Sequence, residues 1–192
     1  MLKTLIAIIY YSSFSFLLIM LIWQAYNLIF NRGVPNIRTA PAVRKKIVEI
    51  LKQDFDASGR KPYTIFDLGS GNGLLTREIA AALPEARVIG IEISGPQYSW
   101  SMKQKEKLGL ANLTYEKADF LKRDLSEADA VVFYLVSTLM ESLGKKLHRD
   151  LKPGALIVSN RFRLGDDWQP QEVMEVRTLY PHQKKVNTYR KD

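Results

Sequence analysis

A glycine-rich segment, Asp67–Gly73 (DLGSGNG), carries the strongest chemical signal in this sequence. It lies between a short apolar run and a helical pattern, and its glycines let the backbone turn sharply and let a ligand approach closely. A carboxylate, Glu92, follows Gly71 by about 20 residues at the end of the next apolar run, where it can accept hydrogen bonds from ribose hydroxyls. Together these residues predict a site for a nucleoside-containing ligand.

The kind of nucleoside follows from what surrounds the glycines. A dinucleotide-binding loop reads G-x-G-x-x-G, but the third glycine position is occupied here by Leu74. Asp67, just before the glycines, would repel a pyrophosphate and attract an ammonium group. S-adenosylmethionine has an ammonium and a ribose but no phosphate, so it is the predicted cofactor. Asp119 can accept a hydrogen bond from an adenine amino group, and Phe120 can flank the ring.

The candidate residues fall into two groups at the ends of predicted strands. The cofactor-binding group consists of Asp67, Gly69, Ser70, Gly71, Gly73, Glu92, Asp119 and Phe120. Tyr134 and Arg161 follow the fourth and fifth strands, where a substrate would arrive, although a structural role fits each of them as well. Trp168 either lines the substrate cleft or packs locally. No catalytic base is assigned, and a chain with two histidines and no cysteine predicts no metal site.

The elements that must position these residues alternate between strands and helices. Predicted strands cover residues 63–68, 87–93, 113–117, 128–135 and 155–160, and predicted helices cover residues 43–51, 74–83, 96–108 and 137–151. Near-continuous apolar strands alternating with helices indicate an α/β fold with a parallel sheet covered on both faces. Residues 172–179 and 185–190 predict a terminal antiparallel pair.

The N-terminal segment from Thr4 to Asn31 contains no charged residue. A bilayer core about 30 Å thick needs roughly 20 helical residues, so residues 5–26 are long enough to span it. A cleaved signal peptide has a shorter apolar region and a small-residue cleavage site, and a buried core helix seldom lacks charge for so long. The preferred prediction is therefore a retained single-pass membrane anchor, with these two as alternatives.

The flanking charges predict an orientation for this anchor. Only Lys3 precedes the segment, whereas a group of cations follows it: Arg32, Arg38, Arg44, Lys45 and Lys46. The positive-inside rule places the C-terminal side in the cytoplasm or an organelle interior. The predicted division is an anchor over residues 1–31, a linker over 32–42 and one folded domain over 43–192, which suits a chain of 192 residues.

The overall charge leaves several kinds of partner open. The formal net charge is +8, which suits an anionic membrane surface, an acidic partner or nucleic acid, and fits an ordinary solvated surface equally well. The absence of cysteine excludes disulfides, zinc–thiolate sites and a cysteine nucleophile.

The five residues Asp67, Gly69, Gly71, Glu92 and Asp119 make the chain resemble the class I, seven-stranded S-adenosylmethionine-dependent methyltransferases. This resemblance covers about residues 43–190. It implies a Rossmann-like, mostly parallel sheet in the order 3-2-1-4-5-7-6 with an antiparallel last strand. It also implies transfer of a methyl group without a metal.

A narrower resemblance is to the membrane-anchored protein-lysine methyltransferases that modify the ATP synthase c-subunit or the adenine nucleotide translocase. Those proteins share a hydrophobic N-terminal segment, a D-hydrophobic-G-S-G-D-G motif and a G-x-E motif, matched here by residues 67–73 (except Asn72) and by residues 90–92. Their C-R-F-P-x-P-x-W motif is matched in part by residues 160–162 and Trp168. This similarity implies a protein-lysine N-methyltransferase that acts on a membrane protein.

The chain departs from that narrower pattern near the acceptor side. Ser94-Gly95-Pro96 stands where the family has Asn-Pro, and residues 136–140 lack the family's V-P-Q-M. Cofactor use is thus better supported than substrate identity. The alternatives are a small-molecule, lipid or quinone methyltransferase at the membrane surface and a non-catalytic cofactor-binding assembly factor. A nucleic-acid substrate would rest on the positive charge alone and is not expected.

Overall fold

The computed structural model describes residues 2–31 and 38–192, and the chain divides after Asn36 into two compact units. The first unit contains helix α1 (Leu2–Asn31). Its stretch Lys3–Tyr26 has a mean hydropathy of 2.3 and no buried residue. By length and composition this helix can cross a membrane, although a signal sequence has the same properties.

The second unit is built on a seven-stranded sheet in the order β3-β2-β1-β4-β5-β7-β6. The strands are β1 (Thr64–Leu68), β2 (Arg87–Glu92), β3 (Leu113–Lys117), β4 (Ala130–Phe133), β5 (Leu156–Asn160), β6 (Glu172–Glu175) and β7 (Lys185–Arg190). Strands β1 to β5 pair in parallel, and β7 is antiparallel to both β5 and β6. The predicted Rossmann-like class I methyltransferase sheet is confirmed, including its strand order and terminal antiparallel pair.

The helices between the strands begin and end at residues with the expected backbone preferences. They are α2 (Pro41–Ser58), α3 (Leu74–Ala82), α4 (Gly95–Leu108) and α5 (Met140–Asp150). Pro41 and Pro96 lie in the first turn of α2 and α4, where a missing N–H costs nothing. Gly59 and Gly109 end the same two helices in the left-handed conformation.

Two apolar clusters cover the two faces of the sheet. The first cluster joins α2 and α3 to one face and includes Val43, Ile47, Leu51, Ile65, Ile79 and Val158. The second joins α5 and the chain after β5 to the opposite face and includes Phe66, Ile91, Phe133, Leu143, Leu147 and Trp168. This double covering explains why the strands are apolar almost throughout.

Several predicted element bounds were too wide or too narrow. Tyr63 lies outside β1, and the predicted strand 128–135 shrinks to β4, because Ala128 closes a turn with its N–H bonded to the Leu125 carbonyl at 3.0 Å. The predicted helix 137–151 begins as a 3-10 turn over residues 137–139. Helix α2 begins two residues before the predicted position 43, and of the predicted linker, residues 32–37 lie outside the described residues.

Candidate cofactor and acceptor site

The loop after β1 is fixed to the neighbouring strand by its own backbone. The amides of Gly69 and Ser70 both donate to the Ile91 carbonyl, at 2.9 and 3.0 Å. Gly69, Gly71 and Gly73 all have positive φ, which glycine adopts at little cost. These left-handed glycines let the loop turn tightly at the carboxyl ends of β1 and β2, where ligands bind in open α/β sheets.

Glu92 links the end of β2 to this loop. Its carboxylate, which is 8% exposed, accepts the Gly71 amide at one oxygen and the Ser94 amide at the other, each at 2.7 Å. A carboxylate offers about four acceptor positions, so each oxygen keeps a lone pair for a ribose hydroxyl. Glu92 therefore shapes the loop and can also bind the sugar.

Asp67 is buried at the end of β1 and accepts a 2.6 Å hydrogen bond from the Thr76 hydroxyl. Burial raises the pKa of its carboxyl to about 7, the Thr76 bond opposes this, and the nearby Glu92 charge adds to the rise. An ammonium group next to Asp67 would favour the ionised form. The position therefore suits the cationic end of S-adenosylmethionine.

The raised pKa of Asp67 predicts a pH dependence for cofactor binding. Because only the ionised carboxyl attracts the ammonium, the affinity for S-adenosylmethionine should rise about tenfold from pH 5.5 to 7. The free energy of unfolding of the ligand-free protein should change with pH in the opposite direction. Because the pKa of Asp67 is higher in the folded protein than in the unfolded chain, the folded state is stabilised at low pH, and this stabilisation is lost as the pH rises through about 7. Calorimetric titration and thermal melts across this range measure both trends, and Asp67→Asn should flatten them. If affinity and melting temperature depended on pH equally in Asp67→Asn and wild type, the assignment of Asp67 to the ammonium group of the cofactor would be contradicted.

Three residues that the sequence did not single out support the loop from behind. The Tyr115 hydroxyl donates to the Gly73 carbonyl at 3.0 Å, and burial raises its pKa to about 12, so it stays protonated. Ser101 donates to the Gly71 carbonyl at 3.0 Å, and Thr76 holds Asp67. A single hydroxyl within a strand or helix gives no sequence signal, so only the tertiary structure reveals these contacts.

Asp119 and Phe120 lie beyond the end of β3, as predicted. The Asp119 carboxylate accepts the Leu121 amide at 3.0 Å, as in many polar turns. Phe120 is half-buried against the second apolar cluster. Their contact with adenine stays a prediction.

Four side chains around the loop and the neighbouring strand ends carry buried polar atoms that have no hydrogen-bond partner within the described residues. They are Ser70, Ser94, Tyr134 and Asn160. Buried polar groups are normally paired, so unpaired ones concentrated at one edge of the sheet point to a ligand there. Together with the acidic Asp67 and Glu92, they fit S-adenosylmethionine and its acceptor.

The other two acceptor-side candidates differ in position. Arg161 has a φ of 75° and is exposed, and its guanidinium lies 4.5 Å above the Phe162 ring. Within the described residues, this is the ring contact that its guanidinium makes, and it does not join the Arg161 side chain to the cofactor loop. Trp168 is 6% exposed, donates to the Gly144 carbonyl at 3.1 Å and stacks on His148 at 4.0 Å. Of the two possibilities for Trp168, the structure supports local packing.

The sheet order, the glycine loop after β1 and the acidic end of β2 define a class I S-adenosylmethionine-dependent methyltransferase. A similar solved structure is an RNA methyltransferase from Salinibacter ruber in complex with S-adenosyl-L-homocysteine. It is 26% identical, with a TM-score of 0.66 over 80% of this chain and 93% of that one. The protein is therefore a methyltransferase enzyme whose cofactor is S-adenosylmethionine.

Within this class, the chain belongs to the family of the ANTKMT methyltransferase domain, whose model matches residues 67–172. A protein-lysine N-methyltransferase of Saccharolobus islandicus is 31% identical over 74% of this chain and 85% of its own length. A tRNA (guanine-N(7)-)-methyltransferase of Pseudomonas paraeruginosa is 30% identical over 67% of this chain, but only 59% of that protein is covered.

Proposed function

We propose that this protein is a membrane-anchored protein-lysine N-methyltransferase that acts on a membrane protein. The observation that carries the membrane part is helix α1, whose large apolar side chains between Leu5 and Tyr26 are all exposed. Such a surface is costly in water and favourable in a bilayer. The likeness to a protein-lysine N-methyltransferase over most of both chains supports the lysine part.

We further propose that residues 1–31 form the anchor and residues 43–192 the methyltransferase domain, joined by a linker. The cations after α1 favour the cytoplasm or an organelle interior for this domain. Anchoring would hold the active site near the bilayer and raise the effective concentration of membrane-protein substrates. It would also reduce the need for a separate substrate-binding domain.

In the proposed reaction, bound S-adenosylmethionine supplies an electrophilic methyl group on a sulfonium. The protein binds and orients the reactants and excludes water, and Asp67 and Glu92 hold the amino and ribose parts of the cofactor. The lysine side chain must reach the site uncharged, because an ammonium has no lone pair. Tyr134, at the end of β4, is proposed to meet this amine, and Arg161 to meet acidic groups of the substrate nearby.

The test incubates the protein with isotopically labelled S-adenosylmethionine and with membranes from cells that lack this protein. We expect label in methyl-lysine after acid hydrolysis of the membrane proteins. Label in the lipid extract would favour a lipid or quinone methyltransferase instead, and label in added tRNA would favour the activity named for the Pseudomonas relative. Either result without methyl-lysine would overturn the proposal.

The anchor is tested in the same assay by placing charges in the middle of α1. Leu17→Lys with Leu18→Lys should cost about 3 kcal/mol per residue in the bilayer core and release the protein from alkali-washed membranes. Alanine at both positions is the matched control and should stay membrane-bound. Equal retention of the lysine and alanine variants would contradict a membrane span.

A further inference from the structure

Asn160, the last residue of β5, is 1% exposed, yet neither its amide oxygen nor its amide nitrogen has a partner in the described part of the chain. The fold pairs another, half-buried asparagine: the Asn112 amide nitrogen lies 2.9–3.0 Å from the carbonyl oxygens of Ala80, Leu83 and Ala86, which share its two N–H donors. An unpaired buried amide is destabilising. The unpaired Asn160 side chain therefore indicates that a ligand or substrate group binds to it.

Tyr134 lies beside Asn160 and has the same property. Phe133, the last residue of β4, is paired with Ser159 of β5. Tyr134, directly after β4, and Asn160, the last residue of β5, therefore come one step beyond this pair on neighbouring parallel segments. The Tyr134 hydroxyl is also buried without a hydrogen-bond partner among residues 2–31 and 38–192. Two unpaired oxygens therefore lie on adjacent strands at the carboxyl edge of the sheet.

This pair is separate from the cofactor-binding residues. Asp67, Glu92 and Asp119 lie at or just beyond the ends of β1, β2 and β3, which form one half of the sheet. Tyr134 comes directly after β4, and Asn160 ends β5. Residues two apart in a strand share a face, so Asn160 lies on the same face as Val158. Asp67 lies on the face of Ile65, and both Val158 and Ile65 belong to the first apolar cluster. Asn160 thus faces the same side of the sheet as Asp67, two strands away in the order β1-β4-β5.

We propose that the Asn160 amide oxygen and the Tyr134 hydroxyl oxygen bind the uncharged primary amine of the acceptor lysine. This inference rests on the proposed function. An uncharged primary amine has two N–H donors and one lone pair, so two acceptor oxygens would take both hydrogens and leave the lone pair available to attack the methyl group. The amine nitrogen then forms the new N–C bond while the C–S bond breaks and its electron pair returns to sulfur. The proton removed beforehand from the lysine ammonium passes to solvent.

The test replaces Asn160 by leucine, which has nearly the same shape and no polar atoms. Three measurements are made on the full-length protein: thermal unfolding, S-adenosylhomocysteine binding by calorimetry, and the rate of methyl-lysine formation in the membrane fraction used above. Removing a buried unpaired amide should raise the melting temperature by about 2–4 °C. The affinity for S-adenosylhomocysteine should be unchanged, and the rate of lysine methylation should fall about 10- to 100-fold.

Two further variants make the result decisive. Asn112→Leu removes a paired amide far from the site, so it should lower the melting temperature and leave the rate below that temperature unchanged. Tyr134→Phe removes only the hydroxyl and should slow methylation without weakening S-adenosylhomocysteine binding. The inference is overturned if Asn160→Leu melts lower than wild type, binds S-adenosylhomocysteine more weakly, or methylates at the wild-type rate. Absence of methyl-lysine with the wild-type protein is a separate result, which counts against the proposed function itself.

Discussion

Glu92→Ala should weaken S-adenosylmethionine binding by about 100-fold or more. The Glu92 carboxylate holds the amides of Gly71 and Ser94 at 2.7 Å, so its loss removes two charge-assisted hydrogen bonds from the loop as well as the predicted ribose contacts. Each hydrogen bond to a charged group is worth about 1.5–3 kcal/mol, and 1.4 kcal/mol is a factor of ten in affinity. Calorimetric titration with S-adenosylmethionine or S-adenosylhomocysteine measures the loss.

Two comparisons separate the role of Glu92 from a general effect of removing a charge. Glu85→Ala removes a carboxylate that is 60% exposed and paired with Lys61 at the surface, so it should bind the cofactor like wild type. Glu92→Gln keeps one acceptor oxygen, so its affinity for the cofactor should lie between those of wild type and Glu92→Ala. Wild-type affinity in Glu92→Ala, checked to be folded by circular dichroism, would remove Glu92 from the cofactor site.

The second large effect is expected for Gly73→Ala. Gly73 has a φ of 71°, and a Cβ there would lie 2.1 Å from the Tyr115 hydroxyl oxygen and 2.9 Å from the Ser101 hydroxyl oxygen. Both the left-handed backbone and the overlap disfavour a side chain, so we expect a loss of about 3 kcal/mol, or roughly 6–12 °C in melting temperature. The variant should also lose cofactor binding, because Tyr115 and Ser101 support the loop from behind. Thermal melts with and without S-adenosylhomocysteine measure both losses.

Gly109→Ala is the matched control, since it isolates the backbone effect. Gly109 has a φ of 62°, and a Cβ there would meet nothing within 4 Å in the described residues. Its replacement should cost only about 1–2 kcal/mol, the penalty for a left-handed alanine, and should leave cofactor binding intact. If Gly73→Ala and Gly109→Ala lowered the melting temperature equally, the close packing against Tyr115 would have no energetic importance.

The sequence was sufficient for the fold and for the positions of Asp67 and Glu92 at strand ends, because both depend on local patterns. The contacts of these residues with the cofactor stay predictions. Apolar strands that alternate with helices indicate a parallel sheet, and the sheet brings consecutive strand ends to one edge without further information. The positions of Asp67 and Glu92 at the ends of β1 and β2 follow directly. The terminal antiparallel pair was indicated by two β-like runs separated by a turn, whereas the order of all seven strands was expected only through the family resemblance.

The rest could not be predicted, because it depends on contacts between residues far apart in the sequence. Nothing around Tyr115 or Ser101 marks them as supports of the glycine loop, and their role follows from how β3 and α4 pack. Asn160 could not be predicted for a related reason. Its side-chain amide is buried without a partner, and the sequence does not indicate which buried amides the fold will pair. The sequence also left Trp168 undecided, whereas its hydrogen bond to Gly144 places it in the core.

Gln183 has a mechanical consequence if α1 anchors the protein as proposed. Its buried side chain accepts the Ala40 amide at 2.6 Å and donates to the Arg38 carbonyl at 3.0 Å, so it ties residues 38–40 of the second unit to the 3-10 turn that precedes β7. Arg44 adds a bond to the Thr39 carbonyl at 2.6 Å. Tension arriving through the polypeptide at Arg38 would thus be shared with β7 in the sheet before it could peel α2 away. Drag on the proposed anchor would therefore be resisted by the sheet as well as by α2.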